Sequence, residues 1–552
     1  MMTAVSFLLF IGLSSSGFAA TLVYNIHGYT MDHGMRMSFA AMEYDKGKVT
    51  HLYENDKDIA VSKAAERIDG KGATLLPGLI DAHGHIPDLG LALSVIDLVG
   101  SKSEAAAVQR TRDFLLKSPN EKWIYGRGWN QVLWPGKAFP NHKSLDAVSA
   151  ITPIVLERID GHAVWVNNAA LQLAGISNET PDPEGGQIIR DDDGLATGVL
   201  VDNAADLIFA VQPPVSDQQV ISYELNAMRN LVSVGLTSVH DAGATAQEMR
   251  GYQSLQSTHS MPVRVYAMLW MLDPDNDFYL NQGPIIDPEH MLDIRSVKLQ
   301  IDGALGSRGA ALFSDYRDSP GHKGLLLLND EQMERHIGRA MKAGYQVNTH
   351  AIGDLANTKV LNFYERLIAK FKSAGLRHRI EHSQILRVAD IPRFKANGII
   401  ASIEPTHATS DKNMAGDRLG EDRLAGAYVW KSLRDSGAAM AGGSDFPIEP
   451  PNPFYGLHAA VTRQSRDNQP LGGWMAEQKL SRDVSLSLFT EDAAYAAHQE
   501  NVVGRLLPGY YADFILVEDD YFTVPEQQIW KNKVLATYVA GKQVFGANNA
   551  GR

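Results

Sequence analysis

The middle of the chain alternates short apolar runs with longer stretches whose apolar side chains recur every three or four residues. Residues 330–343 and 357–374 show that helical spacing. The apolar runs predict strands at 79–85, 154–159, 237–241, 263–268, 296–302, 345–350, 379–382, 399–404 and 439–445. Strand and helix repeated eight or nine times favour an α/β fold in which a parallel sheet closes into a (β/α)8 barrel, over an open doubly wound sheet.

The two ends of the chain carry a different pattern. Short β-like runs separated by glycine, aspartate and lysine turn residues occur at 21–26, 37–44, 49–53, 73–76, 512–518 and 534–539. Two strand-rich ends that flank a long middle predict one small β domain built from both. We therefore expect residues 20–76 and 503–552 to form this composite β domain, and residues 77–502 to form the barrel.

Polar side chains interrupt the apolar pattern where several predicted strands end. His83 and His85 are two residues apart, so both point to the same face of a strand and form a chelating pair. The polar residues at later strand ends are Lys298, His350, His382 and Asp445. In a barrel enzyme, polar groups at the carboxyl ends of the strands mark the catalytic mouth.

The spacing of these residues assigns them to particular strands. The intervals from Lys298 through the three later polar strand ends are 52, 32 and 63 residues. Because a strand–helix–strand unit needs about 30 or more residues, the four fall on strands four, five, six and eight. The 215 residues between His83 and Lys298 exceed three such units. That surplus predicts an insertion over approximately residues 100–230, able to cover the barrel mouth.

Composition narrows the chemistry. The 552 residues are 44% hydrophobic and 21% charged, which suits a compact fold with a sizeable core. The formal net charge of -13 opposes binding to nucleic acid or anionic lipid. Because cysteine is absent, thiolate metal sites and disulfides are excluded, and the 18 histidines become the candidate ligands. We expect a small-molecule substrate, no nucleic-acid partner and no membrane span, with a homodimer left open.

The first residues are typical of an export signal. An apolar run at 4–13 is followed by three serines and then by Gly17, Phe18 and Ala19, a small-x-small pattern suited to cleavage after Ala19. The run is too short to span a bilayer. We expect residues 1–19 to be a signal peptide and the mature protein to be periplasmic or secreted. The alternative is a buried first strand or helix in a cytoplasmic protein.

Five ordered motifs carry the polar strand ends: DAHGH at 81–85, VKLQIDGALGSR at 297–308, VNTHAIGD at 347–354, RIEHSQ at 379–384 and GGSDFP at 442–447. Together with LERIDGHAVWVN at 156–167 and GRLLPGYYADFILVE at 504–518, they resemble the amidohydrolase superfamily. The closest resemblance is to amidohydrolase family 3, whose characterised members include N-substituted formamide deformylases. It covers nearly the whole mature chain and implies a metal-dependent hydrolase on a (β/α)8 barrel with a composite β-sandwich.

The resemblance also implies a ligand set. Its members are His83, His85, Lys298, His350, His382 and Asp445. One divalent cation would be held by the first two histidines and the aspartate, and a second by the two later histidines. Lys298 takes the position of a bridging lysine that such enzymes carboxylate with carbon dioxide. Histidine and oxygen ligands suit zinc, with iron, manganese, cobalt and nickel left open, and one or two ions per subunit.

The implied reaction is hydrolysis of a carbon–nitrogen bond other than a peptide bond, in an amide, N-acyl compound or formamide, by a metal-activated water. Asp445 would act as general base and then as general acid. The candidate substrate contacts are Asp160, His162, Trp165 and Arg308. Two alternatives remain open: a deaminase or a lactone or phosphoester hydrolase on the same metal site, and a solute-binding barrel without catalysis.

Overall fold

A computed structural model describes residues 20–55, 57–119, 121–158, 163–183 and 186–546. The predicted signal peptide at residues 1–19 and the predicted substrate contacts Asp160 and His162 lie outside the described residues. Residues Pro87–Asn226 form one compact unit, and the rest of the described chain forms another. The second unit contains all six predicted ligands, so it is the unit that builds the site.

Within the described residues, the chain order of the strands begins with the terminal β region and the first barrel strand: β1 (Thr21–Tyr24), β2 (His27–Asp32), β3 (Met35–Phe39), β4 (Ala41–Asp45), β5 (Lys48–Tyr53), β6 (Glu66–Asp69), β7 (Thr74–Pro77) and β8 (Leu79–Gly84). The next strands are β9 (Ile96–Asp97), β10 (Ile124–Trp129), β11 (Ile154–Arg158), β12 (Ala163–Val166), β13 (Gly186–Arg190) and β14 (Ala196–Asp202). The remaining strands are β15 (Leu236–Ala244), β16 (Arg264–Trp270), β17 (Leu292–Gln300), β18 (Gln346–Ala351), β19 (Arg379–His382), β20 (Ile400–Ile403), β21 (Met440–Gly442), β22 (Phe514–Val517), β23 (Val534–Val539) and β24 (Lys542–Gly546).

The barrel is an eight-stranded parallel sheet in the order β21-β20-β19-β18-β17-β16-β15-β8. A parallel bridge between Gly84, at the end of β8, and Phe446, just after β21, links its two edge strands. The predicted (β/α)8 barrel is therefore confirmed. Lys298, His350 and His382 lie on the fourth, fifth and sixth barrel strands, and the segment after the eighth carries the aspartate.

One run predicted as a barrel strand lies in another sheet. Strand β11, within the predicted run 154–159, pairs with β10 and β12 in the six-stranded sheet β13-β14-β12-β11-β10-β9 of the 87–226 unit. Its apolar side chains are buried in that unit's own core. A buried strand is apolar in either sheet, so hydrophobicity alone could not assign this one.

The two chain ends share sheets and a core. The six-stranded sheet β24-β23-β22-β7-β2-β3 mixes strands from both ends, and a four-stranded sheet, β5-β4-β1-β6, comes from the N-terminal end. One buried cluster joins side chains of both ends, among them Val23, Leu75 and Phe514. This arrangement is the composite β-sandwich that the sequence led us to expect. The domain bounds 20–76, 503–552 and 77–502 stay a prediction.

The helices of the described residues start with α1 (Ile86–Ser94), α2 (Glu104–Lys117), α3 (His142–Asp146), α4 (Asn168–Leu173), α5 (Asp206–Phe209), α6 (Asp217–Ser233), α7 (Ala246–Ser257), α8 (Asp277–Gln282) and α9 (Asp330–Lys342). They continue with α10 (Asp354–Phe371), α11 (Ile391–Asn397), α12 (Pro405–Asp411), α13 (Ala415–Leu419), α14 (Trp430–Asp435), α15 (Pro453–Thr462), α16 (Arg482–Leu488) and α17 (Glu491–Ala496). Short 3-10 helices occupy Asp58–Val61, Gln131–Leu133, Pro274–Asn276, Ala374–Leu376, Val388–Asp390, Glu421–Gly426, Ala476–Gln478 and Glu526–Lys531.

Local sequence sets where the helices between barrel strands begin. Helix α9 begins after Asn329, whose side chain accepts the N–H of Gln332 while the Gln332 side chain accepts the N–H of Asn329.

Among the described residues, no helix is long and apolar enough to cross a membrane.

Candidate metal centre

Three predicted ligands meet at the carboxyl ends of the first and eighth barrel strands. The Nε2 atom of His85 lies 3.1 Å from Oδ1 of Asp445, and Nε2 of His83 lies 3.5 Å from the same oxygen. Ligand atoms of these three residues lie within 4.8 Å of one another, a spacing that one cation could bridge. The His83 side chain is fully buried, whereas 28% of the His85 side chain is exposed. These three residues therefore combine a fully buried ligand, His83, with a partly exposed one, His85. A catalytic cation needs such an open position for water or substrate.

Barrel closure places Asp445 beside the histidines. The N–H of Asp445 donates to the carbonyl of His83 at 2.7 Å, and the N–H of His85 donates to the carbonyl of Phe446 at 2.8 Å. Asp445 has φ +59°, in the left-handed region that non-glycine residues rarely adopt. Such a conformation persists only where surrounding contacts fix it.

Asp81 supplies one of those contacts. Its Oδ1 accepts the N–H groups of His83 and Ser444, at 3.1 and 3.0 Å, and its Oδ2 accepts the Ser444 hydroxyl at 2.6 Å. This fully buried carboxyl therefore ties the strand that carries the histidine pair to the residue before Asp445.

Lys298 reaches the same cluster from the fourth barrel strand. Its Nζ lies 3.2 Å from Nε2 of His83, and only 5% of the residue is exposed. Burial lowers the pKa of Lys298, against the opposing effect of Glu381, Asp445 and Glu404. A lowered pKa favours the neutral amine, which is the form that can add carbon dioxide.

The fifth and sixth strands bring the last two predicted ligands. The rings of His350 and His382 have centroids 4.4 Å apart, and the His382 ring lies 4.9 Å from that of His83. Burial and the neighbouring His382 hold the pKa of His350 well below its usual range, which favours the neutral imidazole that binds metals. For His382, burial lowers the pKa, but the carboxylates of Glu404 and Asp445 together raise it above its usual value. The structure thus gathers all six predicted ligand residues in one cluster.

Three residues of this cluster were not predicted from the sequence. Oε2 of Glu381 lies 2.5 Å from Nδ1 of His83, and Oε2 of Glu404 lies 2.8 Å from Nδ1 of His382. His407, on α12, stacks on His382 with ring centroids 5.8 Å apart and lies 3.7 Å from Oδ2 of Asp445 through Nε2.

A signal for Glu404 was present in the sequence. Glu404 ends the predicted run 399–404 on the same strand face as Ser402, in the way that His350 ends its own strand. Glu381 directly precedes a predicted ligand, so strict alternation places the two on opposite faces of the strand. His407 carries no strand pattern, because it lies on the helix that follows.

The electrostatics of the cluster favour an ionised Asp445. Burial alone would raise the pKa of this carboxyl, but the hydrogen bond with His85 and the nearby His83 and His382 hold its pKa well below the usual range. Burial lowers the pKa of His83, and Lys298 lowers it further. The Asp445 carboxylate and the neutral imidazoles of His83 and His350 are donors that can bind a cation.

Comparison with known proteins agrees with this geometry. The sequence profile of the amidohydrolase family matches residues 66–545. The chain belongs to the amidohydrolase family. It is 33% identical over 525 residues to the Bacillus subtilis protein YtcJ, which is named as an amidohydrolase, with 94% of this chain and 98% of that one covered. It is 26% identical over 500 residues to the N-substituted formamide deformylase of Arthrobacter pascens, covering 87% and 90%.

A solved structure extends this likeness to the fold. An uncharacterized metal-dependent hydrolase from Pyrococcus horikoshii is 26% identical and superposes with a TM-score of 0.77, covering 92% of this chain and 99% of that one. This amidohydrolase is therefore a hydrolase on the barrel fold of metal-dependent hydrolases.

The donor set of this amidohydrolase fits a divalent cation. It offers imidazole nitrogens and carboxylate oxygens, the ligands that zinc and its neighbours accept. Three buried polar atoms at this place have no hydrogen-bond partner among the described residues, namely Nε2 of His350, Oε1 of Glu404 and Nε2 of His407. Buried polar atoms of this kind are normally satisfied, so their clustering suits a bound ion with its waters.

Two of the predicted substrate contacts, Arg308 and Trp165, lie within the described residues. Arg308 donates from Nε and a terminal nitrogen to the carboxylate of Asp318, at 3.1 and 2.9 Å, and so holds its own loop. Trp165 is fully buried in the core of the 87–226 unit, beside Trp129 and Trp134. Their roles as substrate contacts stay predictions.

Proposed function

We propose that this amidohydrolase cleaves a carbon–nitrogen bond other than a peptide bond, in an amide, N-acyl compound or formamide. The single observation that carries the proposal is the position of Asp445. It is an ionised, buried carboxylate whose Oδ1 approaches His83 and His85 and whose other oxygen faces His407. A base held against the predicted metal ligands is what proton removal from an attacking water needs.

Proton transfer and metal binding are assigned to different residues of the chain. Asp445 accepts the proton of the attacking water and later donates it to the leaving nitrogen. His83 and His85 with Asp445 would hold one divalent cation, and His350 and His382 a second. Such a cation lowers the pKa of a bound water toward neutrality and polarises a carbonyl oxygen. Zinc is the favoured metal, because the ligands are imidazole and oxygen.

Lys298 has a separate proposed role. Its buried Nζ, 3.2 Å from Nε2 of His83, would be carboxylated and would then offer oxygen ligands to a bound cation. The lowered pKa of this amine supports the reaction with carbon dioxide. Intact-mass measurement with and without bicarbonate tests the modification directly, and an unchanged mass would remove it from the proposal.

The substrate class rests on the named relatives. The Arthrobacter pascens relative is named for deformylating N-substituted formamides, and its match spans most of both chains. We therefore place N-substituted formamides and N-acyl amines at the head of the substrate panel. Amino-heterocycles, lactones and phosphoesters complete it, because the same ligand set would serve a deaminase or an ester hydrolase.

The deciding experiment joins metal analysis to kinetics. Purified protein should contain a divalent metal, and chelation should abolish hydrolysis of the preferred substrate. Asp445→Asn should lower kcat by roughly 10²- to 10⁴-fold, the usual contribution of a general base. The matched control is Asp390→Asn, another buried aspartate, which bonds Thr358 and Arg393 instead of the cluster. Wild-type activity in Asp445→Asn, or activity that survives chelation, would refute the proposal.

Export is proposed separately. The apolar segment before Ala19 would direct the chain across the inner membrane and be removed. N-terminal sequencing of the mature protein from a cell fraction tests this, and a chain that keeps residues 1–19 in the cytoplasm would contradict it.

A further inference from the structure

A buried carboxylate stands behind His83 on the side away from Asp445. Oε2 of Glu381 lies 2.5 Å from Nδ1 of His83, and both side chains are fully buried. The other ring nitrogen, Nε2, is the one that faces Lys298 and Asp445. A carboxylate at Nδ1 selects the tautomer with its proton on that nitrogen, which leaves the Nε2 lone pair directed at the centre.

Glu381 is itself fixed by Arg379, two residues earlier on the same strand. The Arg379 side chain is fully buried, and its Nε lies 2.8 Å from Oε1 of Glu381. One of its terminal nitrogens, whose two N–H groups are shared among three acceptors, lies 3.1 Å from Oε2 of Glu381, 2.6 Å from the Ala82 carbonyl and 2.9 Å from the Ser402 hydroxyl. Contacts with the first, sixth and seventh barrel strands leave this guanidinium, and therefore Glu381, little freedom to move.

A second buried carboxylate stands behind His382. Oε2 of Glu404 lies 2.8 Å from Nδ1 of His382. Its other oxygen, Oε1, is buried, has no hydrogen-bond partner among the described residues, and lies 3.8 Å from Nδ1 of His83. Glu404 is thus placed between two histidines, one of which it bonds and the other of which it approaches.

We propose that Glu381 and Glu404 are positioning residues that fix the tautomers and ring orientations of His83 and His382 for metal binding. This inference rests on the proposed function, because it takes these histidines to be ligands. Glu381 acts on a rigid support, while Glu404 keeps a free oxygen near His83. Glu404 can therefore partly replace Glu381 when Glu381 is lost, and the two substitutions should not be independent.

The test measures metal affinity instead of turnover. Metal-free protein is titrated with zinc against a chromophoric chelator, and cobalt-loaded protein is examined by visible absorption. Glu381→Ala and Glu404→Ala should each raise the zinc Kd about 10- to 100-fold, the usual effect of removing such a partner. The double variant should exceed the product of the two single effects. Glu381→Gln and Glu404→Gln, which keep an acceptor oxygen, should each restore part of the affinity.

The matched control is Asp513→Ala. Asp513 forms another buried carboxylate–arginine pair, with its oxygens 2.6 and 3.1 Å from nitrogens of Arg264, and it contacts none of the predicted ligands. It should lower Tm without changing the zinc Kd or the cobalt spectrum. Circular dichroism and Tm identify any variant that fails to fold, and the glutamine variants then supply the measurement.

Different outcomes would refute the metal function and the positioning role of the two glutamates. A wild-type protein that binds no zinc would refute the proposed metal function itself. Wild-type binding with an unchanged zinc Kd in both alanine variants would refute the positioning role alone. Complete loss of binding in both alanine and glutamine variants would also overturn it, because the glutamates would then be direct ligands.

Discussion

Two buried regions of the same unit differ in polarity: one is lined by apolar side chains and the other by ionisable ones. The core of the composite β-sandwich is apolar and aromatic, with Phe514 stacked on Tyr538 at a centroid distance of 4.3 Å. The carboxyl ends of the barrel strands instead bury carboxylates, imidazoles, a lysine and an arginine. Apolar burial stabilises a fold, whereas buried charges cost free energy unless they are paired or bind metal. The sandwich core therefore stabilises the unit, and the barrel end carries its chemistry.

Raised pKa values of carboxyl groups around the barrel end reflect the free-energy cost of burying a charge there. Burial raises the pKa of Asp81, Asp241 and Asp302 to about 7 each, although every one accepts hydrogen bonds that lower it. Such perturbed groups concentrate where a protein performs chemistry.

The largest effect on stability should come from the sandwich core. Phe514 is fully buried, so Phe514→Ala should reduce the free energy of unfolding by about 3–5 kcal/mol through lost burial and the cavity left behind. The activity per folded molecule should not change. Denaturant unfolding and kinetics on the same sample check both statements, with Phe278→Ala, 68% exposed, as the matched control. A large fall in kcat with little loss of stability would contradict the view that the sandwich core stabilises the unit while the barrel end carries its chemistry.

The sequence sufficed for the barrel, the composite sandwich and the clustering of six polar strand ends. The barrel and the strand positions follow from periodicity and spacing, whereas the sandwich and the full ligand set were implied by the family resemblance. The sheet that contains β11 was assigned wrongly, because an apolar strand does not encode which sheet it joins.

The contacts of Arg379 and Glu381 behind the predicted ligands could not be predicted, for a geometric reason. Arg379 and Glu381 are two residues apart and share a face, and Arg379 contacts the first barrel strand through the Ala82 carbonyl. Alternation would then direct His382 away from the centre. Its left-handed backbone, with φ +73°, breaks the alternation, and both neighbours reach one cluster. Nothing in the local pattern announces that break.

A second prediction is that the stability of the folded protein depends on pH through the buried Asp241. Asp241 is buried, accepts the N–H of Ile86 at 2.8 Å and the hydroxyl of Tyr252 at 2.9 Å, and has its pKa raised by burial to about 7. The folded state therefore binds more protons than the unfolded state between about pH 4 and pH 7, so this group's contribution to stability falls as pH rises through that window.

Asp241→Asn removes the titration. The variant should therefore gain stability relative to wild type as pH rises from 4 to 8, by up to about 4 kcal/mol for a shift of about three pKa units. Denaturant unfolding at several pH values measures the difference, and the exposed Asp192→Asn serves as control. A stability difference that stays constant with pH would show that burial of Asp241 costs little free energy.

The smallest expected effect concerns His407, which belongs to the chemical region but contributes little to the fold. Its Nε2 lies 3.7 Å from Oδ2 of Asp445 and has no hydrogen-bond partner among the described residues. We expect this nitrogen to steer the second oxygen of the base, so His407→Gln should lower kcat about tenfold, or about 1.4 kcal/mol in the activation barrier. Metal content and Tm should stay near wild type, because no strong contact is lost. His290→Gln provides the control, since His290 pairs with Asp293 at the start of β17, at the other end of a barrel strand. A variant with wild-type kcat would remove His407 from the chemistry, and one with a much lower Tm would place it with the structural residues instead.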